Sequence, residues 1–302
     1  MGAVGSVKVK SLLGKSLNAY DSRFSQDIQS AADEIHKEFP QILEITSINA
    51  SDGINAAASM NGMGTLTINS KLLQDYDDGI VQTLPPGWSA GDGTFKNSMI
   101  AHELAHNLDR KFTNMLADYS PQIMDSKSIT MVNDLWAEAY SKALGKELKP
   151  GDVVSNVIPA YDTSAKIMTI DGTKYSSDDV YAKGGNLSDI VVPKAIENIH
   201  NNWIALGYKT KPTTSQLISN LSGYVNNTYP QGHKNFNTEV FAESYSSYKS
   251  YGKDANPLAQ EVMRLTKQAY NSATSNKKNG VMDFYQKLFK AQAEVKKKHG
   301  IG

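Results

Sequence analysis

The stretch TFKNSMIAHELAHNLDRKFTNML, Thr94 to Leu116, decides how this chain is read. Ile100, Leu104 and Leu108 recur every four residues, which predicts a helix with one apolar stripe. On that helix His102 and His106 stand one turn apart on a shared face, so both rings can offer a nitrogen to a single ion. Glu103 is offset around the helix and is placed to reach a water on that ion instead. Zinc brings the pKa of such a water towards neutrality and polarises a carbonyl oxygen. A carboxylate beside it can take the water proton and return it to a leaving amine. His-Glu-x-x-His arises by chance in roughly one chain per hundred of this length. The plain alternative is a surface helix with two solvated histidines.

Outward from the motif, Thr65–Asn69 alternates as a strand with Leu66 and Ile68 on one face. A strand followed by the motif helix is the zincin order, in which an edge strand lines the cleft. Phe24, Ile28, Ala32, Ile35 and Phe39 predict a helix from Asp21, stopped by Pro40. Leu43, Ile45 and Ile48 suggest another strand. Asp75, Asp77 and Asp78 lack the spacing of a calcium loop and read as a solvated turn. Downstream, a helix is expected over 133–144 and a hairpin around Asp171-Gly172. Pro193 is read as starting a helix that Gly207 ends. Further helices are expected near 213–221, 238–250, 256–271 and 281–298. The resulting organisation is a basic lead-in over 1–20 and one α+β domain over 21–302. Residues 116–189 carry no nameable chemistry and read as an insertion.

Composition narrows the chemistry. Among 302 residues there is no cysteine, which excludes disulfides, thiolate zinc sites and thiol nucleophiles. Formal net charge is zero, so no basic surface advertises a nucleic-acid partner. No run approaches 18 apolar residues, so no membrane span is expected. The N-terminal stretch has no apolar core of secretion-signal length.

A catalytic zinc needs a third protein ligand and one open position. Phe112 and Asp109 stand where a metzincin has its third histidine and its glycine, so that pattern fails. His200 and His233 are candidates without a supporting pattern. Glu239, in Asn237-Thr238-Glu239-Val240-Phe241-Ala242-Glu243, has stronger support. Glu239 and Glu243 share a helix face, and two such carboxylates in a buried site need something positive opposite. Glu239 would bind the metal, and Glu243 would accept a hydrogen bond from a ligand histidine. The alternative is a solvent-facing acidic pair.

Together, His102-Glu103-Leu104-Ala105-His106-Asn107-Leu108-Asp109 and Glu239-Val240-Phe241-Ala242-Glu243 resemble the gluzincin protease domain of anthrax lethal factor. They also resemble the related metallopeptidase-like domains of phage minor head and virion proteins. The resemblance implies a zincin-like fold, with a small mixed sheet and a mainly helical C-terminal half. It implies one zinc ion on His102, His106 and Glu239, with Glu243 and Asp109 in supporting positions. It also implies an oxyanion-stabilising tyrosine, for which Tyr224 is the best match and Tyr229 the runner-up. The implied partners are a protein or peptide substrate and other virion proteins; with no classical secretion signal, a virion-associated or cytoplasmic setting is expected. The implied function is zinc-dependent peptide hydrolysis. The competing expectation is a virion structural or cargo protein that keeps a zinc site without proteolysis.

Overall fold

A computed structural model describes residues 22–40, most of 47–69, 87–116, 134–145 and 167–275, with isolated positions elsewhere up to 300. The expected lead-in, the acidic cluster, Leu43, Ile45 and most of the helix expected over 281–298 lie outside the described residues.

The described chain is mixed α+β, mostly helical with a small sheet. Helix α1 (Ser22–Glu38) buries Ile28, Ala32 and Ile35 and leads to the buried Phe39. Three strands follow: β1 (Ser47–Ser51), β2 (Ala58–Met60) and β3 (Thr65–Asn69). Their order is β1-β3-β2, with β1 parallel and β2 antiparallel to β3. Alternation puts Leu66 and Ile68 of β3 in the core beside Ile48, Ala58 and Met60. Thr65–Asn69 is therefore the middle strand, flanked on both sides. The edge facing the motif helix is β2, whose Met60 carbonyl accepts a hydrogen bond from Arg110 at 3.1 Å. Three residues are too short a run for alternation to reveal.

The motif segment begins as a π-helix, Phe95–Ile100, and continues as α2, Ala101–Leu116. Asp92 and Thr94 hold its start. Thr94 Oγ accepts the Asn97 N–H at 3.2 Å, and Asp92 accepts both the N–H and the hydroxyl of Thr94. Each π turn takes in an extra residue, which re-phases the faces of the helix that follows. Helix α2 proves buried nearly all round, well beyond the single stripe that periodicity predicts; Arg110 is its one described residue classed as exposed. Helix α3 (Asp134–Leu144) lies outside the main core cluster.

Strands β4 (Met168–Ile170) and β5 (Thr173–Tyr175) form the expected hairpin, and Asp171 and Gly172 both take positive φ in its turn. Helix α4 (Ser177–Ala182) follows, with a Ser176–Asp179 capping box. Met168, Ile170, Val180 and Leu187 all join the main core, so residues 168–187 are built into the domain. Helix α5 runs Ser188–Asn202, with Pro193 inside it rather than at its start. Its beginning is set by Asp109, whose carboxylate accepts the Ser188 N–H at 2.7 Å. Beyond Asn202 the chain turns to Gly207, which takes positive φ.

Helix α6 (Thr214–Leu221) opens on a Thr213–Gln216 capping box. Helix α7 (Gly223–Thr228) follows directly, capped by Ser222. Helix α8 (Phe236–Tyr251) is buried without interruption from Glu239 to Ser247 and packs along α2 and the π-helix. Helix α9 (Pro257–Ser275) closes the other side of α8 and receives the hairpin. Two central helices, α2 and α8, therefore bring the two sequence motifs into contact.

Candidate metal centre

His102 and His106 leave α2 towards Glu239 of α8. Their Nε2 atoms are 3.1 Å apart. Glu239 Oε2 lies 3.3 Å from His102 Nε2 and 3.6 Å from His106 Nε2. Zinc bound tetrahedrally at about 2.0–2.1 Å sets its donor atoms roughly 3.3 Å from one another. Glu239 Oε2 is also buried without a hydrogen-bond partner, as a lone pair awaiting a cation would be. The donor set thus fits one divalent ion, and His102, His106 and Glu239 form a buried group able to hold it.

Supporting contacts fix this geometry. Glu243 is 2% exposed, and both of its oxygens are used. Oε1 accepts the His102 Nδ1–H at 2.8 Å, and Oε2 accepts the Ala90 N–H at 2.5 Å. With its proton held on Nδ1, neutral His102 keeps the Nε2 lone pair for metal. Burial alone would push the His102 pKa down, but the Glu239 and Glu243 carboxylates push it well above its ordinary value. An ion held on Nε2 would need that nitrogen deprotonated, so the two carboxylates set a competition between proton and metal there. Burial would likewise raise Glu239, yet the two imidazoles hold its carboxyl down at about 2. Among the described residues, Glu239 and Glu243 meet imidazoles and one backbone amide, and no ammonium or guanidinium. Burying an uncompensated charge costs several kcal/mol per ion, so this concentration of carboxylates calls for a cation.

Glu103 is buried beside His102, and its charge acts on both His102 and Tyr224. The Tyr224 ring lies 6.0 Å from the His102 ring, edge to face. Burial and the Tyr229 hydroxyl hold its phenol well above the usual range, so it remains protonated and able to donate. Tyr229 sits behind Tyr224, its ring 5.3 Å away. Asp109 is fully buried and acts on α5 through Ser188; burial raises its pKa to about 6, partly offset by that hydrogen bond. His200 lies on α5 and His233 precedes α8; neither joins the metal-binding group among the described residues.

Sequence reasoning missed the loop at 87–91, which carries no catalytic side chain. Its Ala90 amide holds Glu243. The Trp88 carbonyl accepts the Tyr224 N–H at 2.8 Å and the Ser222 hydroxyl at 2.9 Å. A side chain at Gly223 would come within 2.9 Å of the Gly87 carbonyl, and one at Gly91 within 2.9 Å of the Ser98 Cα. Close approach therefore explains both glycines, and the only sequence signal was a Gly-rich, loop-like composition.

The chain matches no protein-family model, no curated protein and no solved structure at a significant level. Its functional reading rests on the residues themselves. No helix among the described residues is long and apolar enough to cross a membrane.

Proposed function

We propose that this protein is a zinc-dependent metallopeptidase with a zincin-like fold, acting on peptide bonds. The observation that carries the reading is the meeting of His102 Nε2, His106 Nε2 and Glu239 Oε2 at 3.1–3.6 Å, with Glu103 adjacent. A purely structural site has no need of a general base. Bound zinc supplies Lewis acidity and a water acidified towards neutral pH. The protein's own groups do the rest. Glu103 takes the water proton on its carboxylate and passes it to the departing amine nitrogen. Tyr224 donates its phenolic hydrogen to the carbonyl oxygen as negative charge gathers there. Glu243 keeps the His102 ring from turning, and Asp109 anchors α2 against α5. Water is the nucleophile, so no acyl-enzyme forms.

The test compares wild type with Glu103→Gln for zinc content and for cleavage of a diverse peptide library. The expected result is one zinc in each protein and a kcat lowered by about 10²–10⁴-fold in the variant. Equal zinc with no cleavage by either protein would instead favour a zinc-holding structural or cargo role.

A further inference from the structure

Tyr224 does not face the metal ligands alone. Edge-to-face contacts run from His102 to Tyr224, from Tyr224 to Tyr229, and from Tyr229 to His233, whose ring lies 5.0 Å from that of Tyr229. The Tyr224 and Tyr229 hydroxyls are hydrogen-bonded at 3.3 Å. Tyr229 is half-buried, and its backbone N–H closes the end of α7 on the Val225 carbonyl at 2.9 Å. His233 Nδ1 accepts the Asn235 N–H at 3.1 Å, which fixes the ring that backs Tyr229.

We infer that Tyr229 is a positioning residue that frees the Tyr224 proton for the reacting carbonyl oxygen, an inference that rests on the metallopeptidase reading above. A phenol has one proton to give and two lone pairs to receive with. At rest Tyr224 spends its proton on Tyr229. When charge develops on the substrate oxygen, the Tyr224 O–H turns towards it. The Tyr229 O–H then turns to the Tyr224 oxygen. Only two hydroxyl hydrogens rotate, no covalent bond changes, and both phenols stay protonated. The hydrogen bond that Tyr224 receives polarises its O–H and strengthens the one it gives. The Tyr229–His233 contact holds the second ring where this exchange can occur.

The test is a double-mutant cycle with Tyr224→Phe and Tyr229→Phe. Tyr224→Phe should lower kcat by about 10²-fold, as removing one oxyanion donor does. Tyr229→Phe should lower kcat by about 3–10-fold, the range one neutral hydrogen bond carries, with KM unchanged. The double variant should be no slower than Tyr224→Phe alone, because the second phenol acts only through the first. A readout independent of turnover is the ¹³Cζ resonance of Tyr224 in metal-free protein, which should move in Tyr229→Phe while Tm stays within a degree or two. Additive losses, or an unmoved resonance, overturn the inference. Full kcat in Tyr229→Phe beside an inactive Glu103→Gln overturns it alone, whereas a wild type that cleaves nothing overturns both it and the metallopeptidase reading.

Discussion

Helix α8 carries acids at one end and a lysine near the other, and the two ends meet their opposite charges in different ways. Near its C-terminus, Lys249 lies 2.9 Å from Glu34 and 3.2 Å from Glu38 of α1. Lys96 of the π-helix also bonds Glu34, and Lys267 of α9 approaches Glu38 at 3.8 Å. Every carboxylate there has an ammonium. Near the N-terminus, Glu239 and Glu243 have imidazoles, which are weak and conditional cations. The difference teaches what each end is for. Lysine supplies a charge that never leaves, which suits a permanent clasp between α1, α8 and α9. Convergent imidazole nitrogens leave the charge to be supplied from solution, which suits an exchangeable cation.

The contrast can be broken most decisively at Glu239. Glu239→Ala should weaken zinc binding by on the order of a thousandfold or more, beyond the 10–100-fold typical of losing an outer hydrogen bond. Metal analysis after dialysis would read this directly, and one zinc retained at unchanged affinity would erase the distinction between the two ends.

Asp109 sharpens it, being a buried carboxylate whose Oδ2 has no hydrogen-bond partner. Its folded pKa of about 6 lies above the ordinary 3.8. Its contribution to stability is therefore fully present below about pH 3.8 and lost as pH rises through 6. That shift corresponds to roughly 3 kcal/mol. Asp109→Asn keeps an acceptor for the Ser188 N–H and removes the charge. Urea unfolding of the metal-free proteins at pH 4.5 and pH 7 should show a steeper decline in wild type than in the variant.

Two smaller effects test the ends separately. Glu243→Gln should cost 10–100-fold in zinc affinity by loosening His102, measured by competition with a chelator. Lys249→Met should leave zinc content unchanged while lowering stability by about 1–2 kcal/mol, because Glu34 and Glu38 lose a shared partner. Burial raises the Glu34 pKa, but Lys96 and Lys249 bring it below 4.5 overall. The stability it adds is thus present above about pH 4.5 and fades as pH falls below that. In Lys249→Met the acid fade should be shallower, and a variant that also lost zinc would show the two ends to be one system.

How much of this was legible depended on whether chemistry or packing set the feature. The convergence of His102, His106 and Glu239 was readable because a group able to hold a metal needs imidazole and carboxylate side chains at helical spacing. Thr65–Asn69 was readable from alternation, but not its place in mid-sheet, since β2 is too short to announce itself. The π-helix at Phe95–Ile100 was hidden because its residues also suit an ordinary helix. Pro193 misled because tertiary capping by Asp109 starts α5 five residues ahead of the position where a helix-opening proline would place it. Ala90 and Trp88 were invisible because they act through the backbone, which any residue supplies.

Glu243 has one further consequence. One of its oxygens steadies His102, and the other grips Ala90 in the loop that seats Tyr224. Under the proposed zinc chemistry, a bound ion and an oxyanion mimic would be joined by thermodynamic reciprocity. Whatever factor an oxyanion mimic gains in affinity from the loaded ion, the ion must gain from the mimic. A tight inhibitor would trap its metal, and stripping the metal would evict the inhibitor.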